Sequence, residues 1–417
     1  MQTVELKASE ATSAAQIQDA IDRLGAAGGR VVLPALEVTL DRGLELRSNV
    51  ELVGQGRDTL LRKAPGRIYP LSGYHNYGMR DVPLTHTQGL DPGMTVTIRD
   101  EDHGGFFETF ARITWIEGTW VGIDHGLHSD YDARLNPVLV TAFPLIYGLG
   151  VENVAVRGLS LDGNREAQAA GIGACRGAAV YFIGSHGVKV TDVVEAGFAG
   201  EGLGFQMCSQ VHIIDCHFSR NTGNGFHPGA GSTAARFEAC TAEANGAAGF
   251  FFCVRANHIS VRDCAFVAND GPGISVGTRD SHNLIEACVA RNNGGAGLLF
   301  RPTRRPVEMH NCRVRRCHFQ GNGGSTGTGQ VVVLGDAHDL ALVANTIMGS
   351  PARELPGIAV APSATRIWLA DNRIEGCFPD IVGGAAALAP ADPVAGCGIE
   401  AVTPAHFRHL GHHKAEA

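Results

Sequence analysis

The run Gly225-Phe226-His227-Pro228-Gly229-Ala230-Gly231-Ser232 sets a single histidine in a bend defined by one proline and three glycines. An imidazole held there suits general acid or base work near neutral pH; the plainer account is a polar residue closing a turn. Downstream come Arg255, Arg279 and Arg301. Their planar guanidinium forks pair bidentately with carboxylates. Abstraction of a proton next to a carboxylate needs a base and cations that neutralise the acid. His227 or Tyr181 would be the base, Arg255 and Arg279 the neutralisers, and Gln206, Arg301 and Arg165 further binding groups. Glycoside hydrolysis would instead need two carboxylates about 5–9 Å apart. Asp162, Glu166, Glu201 and Asp280 are the candidates; only Asp162 and Glu166 share a loop, and Asp280 beside Arg279 also reads as a surface ion pair.

These residues sit on a repeat. Cys216, Cys240, Cys264, Cys288 and Cys312 follow one another every 24 residues, as do Asn221, Asn245, Asn269 and Asn293, and Gly225, Gly249, Gly273 and Gly297. A fixed period in the twenties marks units that bury their apolar sides only by stacking. Apolar residues alternate at period two, in Phe226 and Pro228, Phe250 and Phe252, Ile274 and Val276, Leu298 and Phe300, so each unit is a coil of strands. The chain is therefore expected to be all-β, a right-handed parallel β-helix. Phe226, Phe250, Ile274 and Leu298 form one interior column, the cysteines another, and the asparagines a turn ladder. By alternation His227 and Gly229 point outward, and so do Tyr181, Gln206, Ser275, Gly277 and Arg301. Gln206, His227, Arg255 and Arg279 would then climb an outer strip within about 15 Å, at about 4.8 Å per coil.

In chain order, Ser13-Ala14-Ala15-Gln16 predicts a capping box opening a short amphipathic helix over Ala14 to Leu24, which plugs the open end of the solenoid. First-coil strands begin at Arg30 and run through Val53, within residues 1–66. Residues 67–144 break the period, and Met94 to Ile98, Phe110 to Ile116 and Thr119 to Ile123 predict an inserted antiparallel subdomain with a turn at Glu117-Gly118. It either lines a binding surface or makes an oligomer contact. Coils resume over 145–384, with late rungs at Val331 to Leu334 and Ile358 to Val360. Residues 385–417, rich in Ala, Pro and Gly, read as a loosely packed tail with His406, His409, His412 and His413 solvated.

Net charge is −8 with no basic run, which argues against a nucleic-acid partner. No apolar run approaches the roughly 20 residues of a membrane span, and the opening MQTVELKASEA lacks a signal-peptide core, so the protein is expected to be cytoplasmic or to have lost a leader. The 11 cysteines show no Cys-x-x-Cys pair and read as buried free thiols. The histidines lack metal-ligand spacing, and calcium would need a carboxylate cluster that the sequence does not display. No cofactor is expected.

The runs Ile17 to Ile21, Ala27 to Pro34 and Val50 to Gly56 resemble the N-terminal module of the pectate-lyase-like superfamily, found in polysaccharide lyases, glycoside hydrolases and phage tail spikes. Gly202 to Gln206, His227 to Ser232, Cys253 to Arg255 and Gly277 to Asn283 are similar to successive rungs of one subgroup of such β-helix proteins. The last run departs from that pattern, with Thr278 where histidine is usual and His282 where a second aspartate is. The resemblance implies an oligo- or polysaccharide substrate. Together with the residues above, it makes a uronate lyase or C5-epimerase the leading expectation. A glycoside hydrolase and a non-catalytic, side-by-side trimeric glycan-binding fibre or adhesin are the alternatives.

Overall fold

The computed structural model describes residues 2–105, 107–169, 171, 177–350, 353–384, 387–403 and 406. The fold is a parallel β-solenoid of about 14 turns with one helix near its start and a small antiparallel sheet inserted. It comprises two compact units: Met1–Gln206 with Asp215–His227 and Glu243–Ala247, and Met207–Ile214 with Pro228–Ala242 and Ala248–Ala417.

In the first unit, helix α1 (Ala14–Arg23) buries Ala14, Ile17, Ala20 and Ile21. Ser13 caps it by accepting from the Gln16 N–H at 3.3 Å. The reciprocal half of the capping box moves back one residue, because Gln16 Oε1 takes the Thr12 N–H at 2.8 Å rather than that of Ser13. A strand at Gln2–Glu5, which its polar sequence did not announce, pairs in parallel with Gly29–Val32. One sheet then stacks Glu152–Asp162 on His186–Ala196. A second carries Leu44–Glu45, Ile146–Leu149, Ala178–Ile183 and Glu201–Gln206. The insert contains six antiparallel strands between Ile68 and Val140, including Thr95–Arg99, Thr109–Glu117 and Trp120–Ile123. Its own core gathers Tyr69, Val82, Val96, Ile98, Val121 and Tyr131, among others.

The second unit repeats shorter strands. Ile274–Val276 lies between Phe250–Phe251 and Leu298–Phe300, followed by Val331–Val333, Ile358–Val360 and one further rung, Ile381–Gly383. Phe250, Ile274 and Leu298 are fully buried, as is Phe226 in the first unit, and the five period-bearing cysteines are at most 2% exposed. The ten described cysteines are thiols, not disulfides; burial pushes that of Cys312 up to about 12.

The corners explain the period. In the second unit Ala268 and Asn292 precede ladder asparagines, and Ala239, Asp263, Ala287 and Asn311 precede cysteines, all with φ between 52° and 57°. Left-handed backbone costs a non-glycine residue roughly 1–2 kcal/mol. The ladder offsets it: Asn293 Oδ1 accepts both the backbone N–H and the Nδ2 of Asn269, at 3.0 and 2.9 Å. Asn322 does the same for Asn293, and Gln330 ends the run by doing so for Asn322. In the first unit Asn245 serves Asn221 likewise.

The C-terminal segment corrects an expectation. Residues 387–403 are tied along the second unit: Ala389 N–H donates to the Ile367 carbonyl, Arg313 meets Asp392 at 2.6 Å, and Gly398 N–H donates to the His282 carbonyl at 2.7 Å. His406 is not simply solvated, since its Nε2 lies 2.7 Å from Thr233 Oγ1 and its ring packs edge-on against His258. A composition of Ala, Pro and Gly concealed this because the ties run largely through backbone groups. His409, His412 and His413 lie outside the described residues.

Candidate functional site

Parallel register fixes an outer column in the first unit. Glu45 pairs with Tyr147, Tyr147 with Tyr181, and Tyr181 with Gly204. The Leu203 N–H donates to the Gly225 carbonyl, which by the same parallel rule sets Gly204 beside His227. Tyr181 and His227 therefore flank a rung whose outward residue has no side chain, their backbones about 9–10 Å apart.

His227 is held hard. Its Nδ1 lies 2.6 and 2.7 Å from the two oxygens of Glu201, and Asn224 Nδ2 donates to the same carboxylate at 2.7 Å. A carboxylate on Nδ1 keeps the proton there and leaves Nε2 as the basic nitrogen. The Glu201 side chain is 10% exposed and that of His227 5%.

The column is roofed. Phe110, from the inserted sheet, stacks edge-on against Tyr147 with ring centroids 5.5 Å apart, and Tyr147, Ala178 and Tyr181 form one apolar cluster with it. Burial first, then the charge on Glu45, pushes the Tyr147 phenol up to about 12. The open strip expected from alternation is corrected here: Tyr181, Gln206 and His227 are each 3–4% exposed, and at Tyr181 the inserted sheet supplies cover through Phe110.

Asp162, Glu166 and Arg165 lie elsewhere in this unit. With Ser160 and Arg220 they line a cleft of about 490 Å³ on the other sheet, so Glu201 does not join them. Asp162 accepts from Arg62 Nε and the Asn164 N–H, both at 2.8 Å. Glu166 is solvent-exposed and pairs with Arg165, whose Nη1 donates to the Arg220 carbonyl. On the strand beside the cleft, Glu195 is fully buried and accepts Asn221 Nδ2 at 2.8 Å. Burial pushes its carboxyl up to about 8.

The second unit presents a cationic face. Arg301 lies over the Phe251 ring with its Cζ 4.1 Å from the centroid, and donates to Ser275 Oγ at 2.7 Å and to the Phe252 carbonyl at 2.8 Å. A Cβ on Gly277 would stand 2.0 Å from its Nη2, so a side chain there would push the guanidinium from this position. Asp280 is wholly buried, accepting the Ala256 and Gly277 N–H groups at 2.9 and 2.7 Å. Its ionic partner is Arg301 at 3.6 Å, not the adjacent Arg279. Arg255 and Arg279 are exposed on left-handed corners, with φ of 66° and 56°.

The family model described as "Right handed beta helix region" matches residues 143–266 and 231–347. Residues 143–347 are thus a right-handed parallel β-helix region. Among solved structures, this β-helix is similar to the A-modules of two mannuronan C-5 epimerases of Azotobacter vinelandii. For AlgE4 the identity is 18%, with 92% of this chain and 95% of that one covered at a TM-score of 0.58; for AlgE6 it is 18%, with 91% and 95% covered at 0.59. It is also similar to ORF18 of Geobacillus virus E2, at 14% identity, 92% and 62% coverage and a TM-score of 0.55. At such identities the likeness is one of fold. No curated protein matches the sequence.

Among the described residues of this β-helix, no group of three or more His, Cys, Asp or Glu could hold a metal ion, and no helix is long and apolar enough to cross a membrane. Two features escaped the sequence reading. Asn224, which holds Glu201, belongs to no repeated position. His258 and His282 do keep the 24-residue step, a signal that would have revealed a histidine column.

Proposed function

We propose that this β-helix is a carbohydrate-active protein that acts on a uronate-containing glycan by lyase or C5-epimerase chemistry. The observation that carries the reading is the rung at Gly204, flanked by Tyr181 and by His227 with Glu201 on its Nδ1. His227 Nε2 would take the C5 proton, which the neighbouring carboxylate acidifies, and Glu201 would stabilise the imidazolium that forms. Tyr181 is the proposed acid: it would protonate the leaving O4 in elimination or return a proton to the opposite face of C5 in epimerisation. Gln206, two residues from Gly204 on the same strand, is a proposed amide contact. On the second unit, taken by itself, Arg255, Arg279 and Arg301 are proposed binding groups for an anionic glycan. The epimerase modules lend support only in having the same fold.

One observation favours a second reading. Asp162 and Glu166 line one cleft together, which suits a glycoside hydrolase better than any other carboxylate pair considered.

The test incubates the protein in D2O with uronate-containing and neutral polysaccharides. Absorbance near about 235 nm, reducing ends and deuterium at C5 are read with His227→Ala as control. Absorbance or C5 deuterium lost in the control supports the proposal and separates lyase from epimerase. Reducing ends alone move the activity to the Asp162 cleft. Binding without any turnover leaves a glycan-binding fibre and overturns the catalytic reading.

A further inference from the structure

Four histidines of the second unit stack along one edge of the coil. Ring centroids are 4.8 Å apart from His258 to His282, 5.3 Å from His282 to His310 and 5.2 Å from His310 to His338. His406, from the C-terminal segment, packs on His258 at 4.4 Å. This segment crosses the column, its Gly398 N–H on the His282 carbonyl and its Ile399 N–H on Ser260 Oγ at 3.0 Å.

Asn311 joins the two. Its Oδ1 accepts the Ala395 N–H of the segment at 3.3 Å, which fixes the amide so that Nδ2 points at His282 Nε2, 2.9 Å away. An amide N–H donates there only if Nε2 carries no proton. His282 is thus neutral with its proton on Nδ1, facing Ser281 Oγ at 3.1 Å. A proton on Nε2 would set donor against donor. The remedy is a flip of the Asn311 amide, which removes the acceptor from Ala395.

We propose that residues 395–403, with His406 beyond them, form a strap that protonation of His282 releases through Asn311. The surrounding charges favour the direction. Glu308 and Asp339 sit at the far end on His338, at 3.4 and 2.7 Å, with Arg366 beside them. On the strap itself Glu400 is taken by Arg262, and just before it Asp392 is taken by Arg313, both salt bridges. His258 donates to Asn257 Oδ1, and its other neighbours are imidazoles. Burial, then His310 and His406, lowers His282; burial, then His406 and His282, brings His258 down to about 4. Groups whose folded value is depressed stabilise the closed state above their ordinary pH of about 6.5 and lose that contribution as pH falls. The strap should hold at neutral pH and open as the solution becomes acid.

The experiment is hydrogen–deuterium exchange on the full chain at about pH 7.5 and about pH 5, corrected for intrinsic rates, read at the amides of Ala395, Gly398 and Ile399. The Asn269 and Asn293 ladder amides of the same unit are the internal reference. Protection at the strap should fall about tenfold or more in the wild type while the ladder stays closed. In Asn311→Asp a carboxylate accepts from Ala395 and from protonated His282 alike, so the strap should remain protected at acid pH. His282→Gln, which accepts from Asn311 without titrating, should lose most of the pH dependence. Unchanged wild-type protection, or an acid loss in Asn311→Asp equal to that of the wild type, overturns the proposal.

Discussion

The outer faces of the two units are built on the same kind of rung and end in opposite chemistry. In the first, an inserted sheet lays Phe110 on Tyr147, and further along the column a histidine and a carboxylate meet with little exposure. In the second, the face covers itself: Arg301 spreads over Phe251, and Arg255 and Arg279 remain in solvent at the corners. A buried acid–base pair can be tuned, because low dielectric magnifies each neighbouring charge. Exposed guanidiniums keep their charge and suit recognition of anions. What covers a column of outward residues therefore decides what it can do.

The sharpest way to break that contrast is to ask for turnover from each face. On a uronate polysaccharide turned over by the wild type, His227→Ala should lower kcat by about 10²- to 10⁴-fold, whereas Arg279→Ala should leave kcat nearly unchanged. Glu201→Gln should fall between them, since the amide no longer stabilises the imidazolium. Equal losses in His227→Ala and Arg279→Ala would dissolve the distinction.

The second unit's face should answer in stability instead. Asp280→Ala strips acceptors from two buried N–H groups and leaves Arg301 short of its counter-charge. A loss of about 3–5 kcal/mol is expected, read by chemical denaturation. A loss below about 1 kcal/mol would mean that the corner holds without its brace.

The first unit carries a buried acid that the second lacks among its described residues with a carboxyl raised this far. Glu195 titrates from its ordinary 4.5 up to about 8. The fold binds this proton more tightly than the unfolded chain does, so the contribution is complete below about pH 4.5 and drains away as pH rises through 8. Glu195→Gln keeps an acceptor for Asn221 and cannot ionise. It should be the more stable protein at about pH 8.5, by up to about 4–5 kcal/mol, and within about 1 kcal/mol of the wild type at about pH 5. Denaturation midpoints at both pH values check this; parallel shifts would show that Glu195 is already ionised in the fold.

How much of this the residues announced follows from where each signal lies. The coil was legible because Cys216 to Cys312 and Asn221 to Asn293 occupy corners where one geometry recurs, and stacking demands the same residue each time. The insert was legible because Thr109–Glu117 and Trp120–Ile123 alternate around a glycine turn. Glu201 and His227 were each legible as groups capable of chemistry. Their meeting was not, since it depends on how a strand's first residue leans across to the next coil, and period and alternation say nothing of that. The strap was hidden for a related reason: Ala395, Gly398 and Ile399 use backbone N–H groups, which every residue has.

The smallest effect tests the solvent side of the comparison. Arg255 and Arg279 make no salt bridge among the described residues and stand on left-handed corners. Removing their side chains should change stability by less than about 0.5 kcal/mol. Glycine at those corners relieves left-handed strain, so Arg255→Gly and Arg279→Gly should hold or slightly raise the melting midpoint. Their cost should appear in affinity for an anionic glycan, roughly severalfold each and shrinking as salt is added, because exposed charges are screened over about 8–10 Å. Titration at low and at physiological ionic strength reads both terms. An affinity unmoved by either substitution would leave the second face without a role in recognition, and would place the weight of binding on the roofed column alone.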